Sequence, residues 1–290
     1  MDLKERERCR GPKDAVYGWT QIHFKRKLML LVADNIRITD KKIQHAVNER
    51  DPEPIQKMVR RSEAAGADAI DINSGPLSRE PEKQMTFLVE AIQAVSDLPI
   101  LIDTANPRAM KAGLEANQNI AIINGFSLEP EKLQQMLPLA KRFGTRIIGY
   151  LLYPSGHVPP DGSERLTVAV ALYEAFRDAG LENEQLIIDP IIVPVMWQNG
   201  NIQNMDTLSV IKTLSDLLGF DVTTIAGLSN LTSGQGDKAK KRILESVYLP
   251  MLAASGLSMA LLDIFHKETV KVAGACNALI NQKIFSLEEL

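Results

Sequence analysis

Eight short apolar segments recur along the chain, and each is followed by a polar loop and then by a helix-like pattern. The segments are residues 28–33, 69–73, 99–103, 120–124, 146–151, 186–189, 222–227 and 258–263. Strands that alternate with helices at a repeat of roughly 20 to 40 residues pair in parallel, because each helix carries the chain back to the start of the next strand. Eight such units in one chain predict a (β/α)8 TIM barrel.

An open, doubly wound sheet is the other architecture that alternating strands and helices can build. When such a sheet binds a dinucleotide, the pattern G-x-G-x-x-G follows its first strand and holds the phosphates. Here Asp34, Asn35 and Arg37 follow the first segment, without that glycine pattern. We therefore predict a single barrel over residues 27–290, preceded by an N-terminal extension over residues 1–26.

Charge and cysteine content argue against several classes of partner. The 290-residue chain has a formal net charge of −3, which gives no reason to expect nucleic acid or an anionic membrane as a partner. No apolar run is long enough to span a bilayer, and residues 1–10 are charged, unlike a secretory signal. The only cysteines, Cys9 and Cys276, form no disulfide framework, so we expect a protein of the reducing cytoplasm.

Polar side chains stand at the ends of most of the predicted strands. In a barrel of this type the βα loops meet at one mouth, so these side chains are expected to converge there. A carboxylate or an amide ends seven of the eight strands: Asp34, Asp71 with Asn73, Asp103, Asn124, Asp189, Asn230 and Asp263. The fifth strand is the exception and ends in Tyr150 and Leu151.

Helix capping is the simplest alternative role for any one of these residues. It does not explain Asp103, because Asn106 already stands in the capping position before Pro107. It does not explain Asp189 either, because Pro190 follows directly and no helix starts there. The set as a whole therefore indicates a ligand site.

Two acids and two amides on apolar walls suit a fused heterocycle such as a pterin. Its ring N–H and its exocyclic amine lie side by side, and one carboxylate accepts both hydrogens. A phosphorylated ligand fits less well, because Gly227-Leu228-Ser229 is too short a glycine signal for a phosphate site. No C-x-x-C or paired His/Cys cluster is present in the sequence, so no metal site is expected.

Six short runs carry a family resemblance that covers about residues 28–282. They are Asn48-Glu49-Arg50-Asp51-Pro52, Asp71-Ile72-Asn73-Ser74-Gly75-Pro76, Leu101-Ile102-Asp103-Thr104, Ile123-Asn124, Ile188-Asp189-Pro190 and Gly227-Leu228-Ser229-Asn230. With these runs the chain resembles the pterin-binding methyltransferases, specifically the methyltetrahydrofolate:corrinoid protein methyltransferases.

The resemblance implies a role for each matching residue. Asp103, Asn124 and Asp189 would hold the pterin, beside Asp71 and Asn73 of the second strand. Asn230 would reach the N5 region, and Gly227 and Ser229 would shape that wall. Asn230 and Asp189 are the candidate catalytic residues, with Asp189 acting mainly in binding.

The resemblance also implies the reactants and the partner. The substrate would be tetrahydrofolate or 5-methyltetrahydrofolate. The sequence lacks the D-x-H-x-x-G pattern of a bound corrinoid, so cobalamin would arrive on a separate corrinoid protein. Two long loops, residues 154–162 and 193–204, could contact that partner or could simply be long connections. Trp197 in the second loop could stack on a ligand, although a packing role is the expectation. Apolar positions on the last two helices suit a homodimer.

The chain departs from the family pattern in two places. After the first strand the family has a glycine-acid-arginine-isoleucine-asparagine run, whereas this chain has Ala33-Asp34-Asn35-Ile36-Arg37, in which only the acid and Ile36 match. After Asn230, a glutamine and an arginine of the family are replaced by Ser233 and Lys238. The resemblance therefore does not define contacts at this corner of the mouth.

The implied reaction makes a specific demand on Asn230. Nitrogen N5 is a poor leaving group unless positive charge develops on it during methyl transfer. A side-chain amide can turn to donate or accept a hydrogen bond as N5 gains or loses a proton. The sequence does not define the direction of transfer.

Two rival functions use the same kind of site. A dihydropteroate synthase would need a lysine and an arginine after the seventh-strand serine, where this chain has Asn230-Leu231-Thr232. A catalytically silent pterin-binding module would keep the acids and amides without turnover. Measurement of turnover separates the transferase from the silent module.

Overall fold

The computed structural model describes residues 29–75 and 80–280, and the predicted N-terminal extension over residues 1–26 lies outside these ranges. Eight parallel strands pair in chain order, and β8 closes the sheet against β1. The strands are β1 (Leu30–Arg37), β2 (Ala69–Asn73), β3 (Ile100–Asp103), β4 (Ala121–Phe126), β5 (Arg146–Tyr150), β6 (Leu186–Asp189), β7 (Thr223–Gly227) and β8 (Met259–Leu262). The predicted (β/α)8 barrel is confirmed.

Nine α-helices lie in the described ranges and surround this barrel. They are α1 (Lys41–Glu49), α2 (Glu53–Ala64), α3 (Pro81–Gln93), α4 (Pro107–Ala116), α5 (Pro130–Phe143), α6 (Gly162–Asp178), α7 (Gly200–Leu218), α8 (Lys238–Ala254) and α9 (Lys267–Ile280). Short 3-10 helices occupy Asn183–Gln185 and Leu228–Thr232.

Local sequence signals start several of these helices. Proline is the first residue of α3, α4 and α5, where its missing N–H costs nothing. The Asn106 side chain accepts hydrogen bonds from the backbone N–H groups of Arg108 and Ala109, as its predicted capping role requires. Because Asn106 caps α4, the side chain of Asp103 is free for another role.

Three element boundaries differ from the sequence prediction. Helix α1 was not predicted, although Asp40 caps it and Ile43, Ala46 and Val47 bury one face at helical spacing. Strand β1 continues to Arg37, so Asp34 lies within the strand. Helix α7 begins at Gly200, which shortens the loop predicted over residues 193–204.

Side chains inside the barrel form a layered column, because alternate residues of each strand point inward. At the lower end, Arg146 Nη2 donates to Thr223 Oγ1 at 2.8 Å, and burial lowers the pKa of Arg146 to about 10. An apolar layer lies above, formed by Leu30, Val32, Ala69, Leu101, Ile122, Ile148, Ile187, Ile225 and Met259. The next inward positions toward the carboxyl ends are polar.

Strand register brings these polar residues into one ring. The Cα partners in β2, β3 and β4 are Asn73 with Asp103, and Asp103 with Asn124. Tyr150 of β5 pairs with Asp189 of β6. Residues that are far apart in sequence thus become neighbours at the same height in the barrel.

No helix in the described residues is long and apolar enough to cross a membrane. The predicted cytoplasmic location stays a prediction.

Candidate functional site

The polar residues at the carboxyl ends of β2 to β6 form a set that we call the polar cup. Its members are Asp71, Asn73, Asp103, Asn124, Tyr150 and Asp189. Five of them were predicted as site residues from the sequence. Tyr150 was not, because the fifth strand had been treated as the exception.

Hydrogen bonds connect the cup residues of β2, β3 and β4. Asn73 Nδ2 donates to Asp103 Oδ2 at 2.6 Å, and Asn124 Nδ2 donates to Asp71 Oδ1 at 3.0 Å. Each amide therefore orients a carboxylate on a neighbouring or next-neighbouring strand. The second oxygen of Asp103, Oδ1, receives no hydrogen bond from the described residues and can accept from a ligand.

Asp71 lies one layer below the other acids, since its Cα partner in β3 is Leu101 and not Asp103. Its side chain is only 1% exposed. Burial raises the pKa of Asp71 well above its ordinary value, the nearby Asp103 raises it further, and the bond from Asn124 opposes the shift. Asp71 thus supports Asn124 from beneath, and its predicted contact with a pterin stays a prediction.

Asp103 is half-buried, and burial and nearby charges shift the pKa of its carboxyl in opposite directions. Burial raises the pKa of its carboxyl to about 6, while the charges of Lys132 and Arg37 favour the ionised form. A carboxyl with this pKa is largely ionised at neutral pH and accepts hydrogen bonds from a ligand.

Asp189 is oriented by the loop that follows it. The backbone N–H of Ile191 donates to Asp189 Oδ1 at 2.8 Å, and Ile191 itself has a positive φ of 64°. The fully buried Arg165 holds this turn, because its Nη1 donates to the carbonyl oxygens of Pro190 at 3.2 Å and Ile191 at 3.1 Å. Arg165 was not predicted, because its partners are loop carbonyls that no local pattern reveals.

Burial raises the pKa of Asp189 to about 7, although the bond from Ile191 and the charge of Arg165 lower it. A carboxyl whose pKa is higher in the folded than in the unfolded protein stabilises the fold at low pH. That contribution is lost progressively as the pH rises through about 7.

Asp189→Asn is therefore expected to stabilise the ligand-free protein at pH 8. Solvent screens part of the effect, so we expect about 1–2 kcal/mol, or a melting temperature higher by roughly 2–6 °C. The difference from the unsubstituted protein should be smaller at pH 5. Thermal unfolding at both pH values measures it, with the exposed Asp221→Asn as control. A difference that is the same at pH 5 and pH 8 would contradict this reading of Asp189.

Tyr150 belongs to the cup through its hydroxyl group, which donates to Asn124 Oδ1 at 2.5 Å. Burial raises the pKa of Tyr150 well above its ordinary value, and Asp103, Asp189 and Asp71 raise it further. Tyr150 therefore remains a neutral phenol, with a proton to donate. The strand register, which pairs Tyr150 with Asp189, is the feature that identifies Tyr150 as a member of the cup.

A second polar group lies where β1 and β7 meet the mouth. Arg37 Nε donates to Asp34 Oδ1 at 2.5 Å, and Ser229 Oγ donates to Asp34 Oδ2 at 3.3 Å. The charge of Arg37 also lowers the pKa values of Asp71 and Asp103. Arg37 was not a predicted site residue, yet it joins the Ser229 wall to the polar cup at the corner where the family pattern is altered.

Asn230 is exposed at the mouth, in the 3-10 helix that follows β7. A Cβ atom on Gly227 would lie 3.0 Å from Asn230 Nδ2, so glycine leaves the room that this amide occupies. No hydrogen bond of the Asn230 side chain occurs within residues 29–75 and 80–280. Its amide is therefore able to turn toward a ligand.

The loop after β6 carries exposed apolar side chains beside the mouth. Trp197 is 54% exposed, and Met196 is more exposed still. The expectation that Trp197 packs against the protein is therefore wrong. The loop turns tightly between Pro194 and Gly200, which leaves the indole half in solvent.

A family model described as pterin binding enzyme matches residues 36–263. The chain belongs to the pterin-binding enzyme family. The match runs from the end of β1 to just past the end of β8, and so it includes every residue of the polar cup and Asn230.

Among curated members related to this pterin-binding enzyme is the methylcorrinoid:tetrahydrofolate methyltransferase of Eubacterium limosum. It is 19% identical over 253 residues, which cover 87% of this chain and 91% of the relative. Methionine synthase of Mycobacterium tuberculosis is 23% identical over 204 residues, covering 68% of this chain but only 17% of the relative.

The fold also matches a solved structure, that of Mycobacterium tuberculosis Rv1207. The TM-score is 0.62 at 17% identity, with 89% of this chain and 95% of that chain covered. This likeness concerns the fold alone. The family match and the methyltransferase relative agree with the resemblance drawn from the sequence.

Proposed function

We propose that this pterin-binding enzyme moves a methyl group between N5 of tetrahydrofolate and the cobalt of a corrinoid carried by a separate protein. The observation that carries the proposal is the combination of the polar cup with a free amide, Asn230, at the mouth. The cup supplies acceptors for a pterin, and the amide supplies a group that can follow a change of charge on N5.

The pterin would lie on the cup with its N–H and amine hydrogens toward the acids. Asp103 Oδ1 and the second oxygen of Asp189 are acceptors that residues 29–75 and 80–280 leave open. Asn124 offers one further donor and one further acceptor, because Tyr150 and Asp71 use the others. These groups match the edge of a pterin, on which two adjacent donors, the ring N–H and the exocyclic amine, are flanked by acceptors.

The N5 end would face Asn230, on the wall that Gly227 and Ser229 shape. As N5 gains or loses a proton, the Asn230 amide turns and keeps a favourable hydrogen bond in the transition state. The corrinoid cobalt supplies the group that takes or returns the methyl. The direction of transfer depends on which partner is loaded.

The corrinoid protein would dock over the mouth against the loops after β5 and β6. The exposed Met196 and Trp197 offer it apolar surface next to the cup. The Eubacterium limosum relative is named as a methylcorrinoid:tetrahydrofolate methyltransferase, which supports this pairing of reactants.

Mixing the protein with methylcobalamin and tetrahydrofolate tests the reaction directly. We expect the visible spectrum to change from that of methylcobalamin to that of the demethylated corrinoid, at a rate that depends on protein concentration. Tight tetrahydrofolate binding without turnover, also with a corrinoid protein present, would indicate a silent binding module. Condensation of a pterin pyrophosphate with p-aminobenzoate would instead indicate a dihydropteroate synthase.

The homodimer is proposed to form through α8, which presents Ile243, Leu244 and Val247 to solvent. Val247 is 59% exposed, and a second copy of this face would cover the stripe. We expect Val247→Glu to lower the mass in light scattering from that of a dimer to that of a monomer.

Leu217→Glu at the end of α7, where the leucine is 42% exposed and lies outside the last two helices, serves as the control and should leave the dimer intact. An unsubstituted protein that is already monomeric, or a dimer that survives Val247→Glu, would contradict the α8 interface.

A further inference from the structure

Three polar side chains from three strands form a continuous hydrogen-bonded chain beneath the ligand position. The Tyr150 hydroxyl donates to Asn124 Oδ1 at 2.5 Å, and Asn124 Nδ2 donates to Asp71 Oδ1 at 3.0 Å. Asn124 is buried and Tyr150 is half-buried. The two ends of the Asn124 amide are therefore held by different partners.

An amide can be turned by half a rotation with almost no change of shape, so its partners alone decide which end points where. If Asn124 were turned over, Nδ2 would face the tyrosine oxygen and the Tyr150 proton would lose its acceptor. Asp71 alone would not prevent that turn. Burial raises the pKa of its carboxyl, which favours the protonated form, and a protonated carboxyl can donate to an amide oxygen.

The orientation of Asn124 determines what the pterin meets. With Oδ1 toward β5 and Nδ2 toward β2, the amide keeps one N–H and one oxygen lone pair for a ligand. In a pterin, ring nitrogen N1 accepts and the neighbouring 2-amino group donates. In a lumazine, which has an oxygen at position 2, N1 donates and the neighbouring group accepts. The two ring types thus present opposite patterns to the same amide.

We propose that Tyr150 is a positioning residue that fixes the Asn124 amide in one orientation and thereby makes the polar cup select 2-aminopteridines over 2-oxopteridines. The inference rests on the function proposed above, because it takes a pterin to be the ligand of the cup. Tyr150 itself acts through Asn124 and needs no contact with the substrate.

Tyr150→Phe removes only the hydroxyl group and leaves the ring in place. Tyr173→Phe is the matched control, because the Tyr173 hydroxyl donates to another asparagine side chain, Asn183, at 2.9 Å on the outer side of the barrel. Calorimetry with tetrahydrofolate measures affinity, and fluorescence titrations with pterin and with lumazine measure selectivity.

We expect Tyr150→Phe to bind tetrahydrofolate about threefold to tenfold more weakly and to lose a similar factor in its preference for pterin over lumazine. The Tyr173→Phe variant should match the unsubstituted protein in both. The pterin-to-lumazine ratio is measured on one preparation, so a fraction of unfolded protein does not alter it.

A second comparison asks whether Tyr150 acts through Asn124. In an Asn124→Ala background, adding Tyr150→Phe should change the affinity for tetrahydrofolate by less than twofold, because the amide it positions is gone. An equal loss with and without Asn124 would overturn the inference, as would an unchanged pterin-to-lumazine ratio in Tyr150→Phe.

Failure of the inference can be told from failure of the proposed function. If the unsubstituted protein binds neither tetrahydrofolate nor pterin, the proposed function is wrong and the inference falls with it. If the unsubstituted protein binds both and Tyr150→Phe keeps its selectivity, only the inference is wrong.

Discussion

Asn230→Ala is expected to lower the rate of methyl transfer by about 100-fold to 1,000-fold, while folate affinity changes by no more than about threefold. The Asn230 side-chain amide makes no hydrogen bond within the described residues, so its removal leaves no buried group unpaired. Its loss is felt when charge develops on N5, and an interaction made mainly in the transition state affects kcat more than binding.

Two measurements separate these effects: turnover of methylcobalamin with saturating tetrahydrofolate, and equilibrium binding of tetrahydrofolate by calorimetry. Gln134→Ala, which removes an exposed amide from α5, is the control and should leave both unchanged. Equal losses in turnover and in affinity would show that Asn230 only binds the substrate.

Asp103→Asn is expected to weaken tetrahydrofolate binding by about 10-fold to 100-fold. The substitution replaces an ionised acceptor by a neutral amide, and hydrogen bonds to a charged group contribute about 1.5–3 kcal/mol. It also disturbs the bond from Asn73, whose Nδ2 donates to Asp103 Oδ2. At saturating substrate, turnover should fall much less than affinity does.

The pH dependence of binding provides a further check on Asp103. Because its pKa is about 6, the carboxyl becomes protonated below that pH and loses its acceptor form. Affinity for tetrahydrofolate should therefore rise with pH through about 6, and Asp103→Asn should remove that part of the rise. Asp189, whose pKa is about 7, accounts for a further rise at higher pH that Asp103→Asn leaves in place. Asp97→Asn, an exposed acid just before β3, is the control. Unchanged affinity in Asp103→Asn would exclude Asp103 as a pterin acceptor.

The sequence alone predicted the barrel, and it placed most cup residues at the carboxyl ends of their strands. Alternating strands and helices define the order of the strands, and residues at strand ends must meet at the mouth. Asp103 was identified because Asn106 already stood in the capping position before Pro107, and Asp189 because Pro190 follows it and no helix starts there. Asn106 caps α4, as predicted.

The site features that the sequence did not reveal depend on strand register, that is, on which residues of neighbouring strands lie side by side. Tyr150 was passed over because the fifth strand ends in neither a carboxylate nor an amide. Only its register with Asp189 brings its hydroxyl group into the cup. Asp71 looked equivalent to Asn73 until register placed it one layer lower. Arg37 was not predicted as a site residue, because it lies in the run that departs from the family pattern. Its contacts with Asp34 arise from the local turn of the strand.

Arg165 shows a different limit of sequence reasoning. An arginine on a helix predicts a solvated side chain, yet this one is fully buried and binds the carbonyl groups of Pro190 and Ile191. Backbone acceptors leave no trace in residue identity, so such partners cannot be found without coordinates.

The column inside the barrel makes the mouth the way into and out of the cup. In the part of the chain that the structure describes, Arg146 and Thr223 close the lower end, and the apolar layer above them fills the barrel beneath the cup. Tetrahydrofolate and the corrinoid protein would therefore have to use the same opening one after the other. Folate would enter first and leave last, so an excess of the carrier protein should trap bound folate and slow its exchange with solvent.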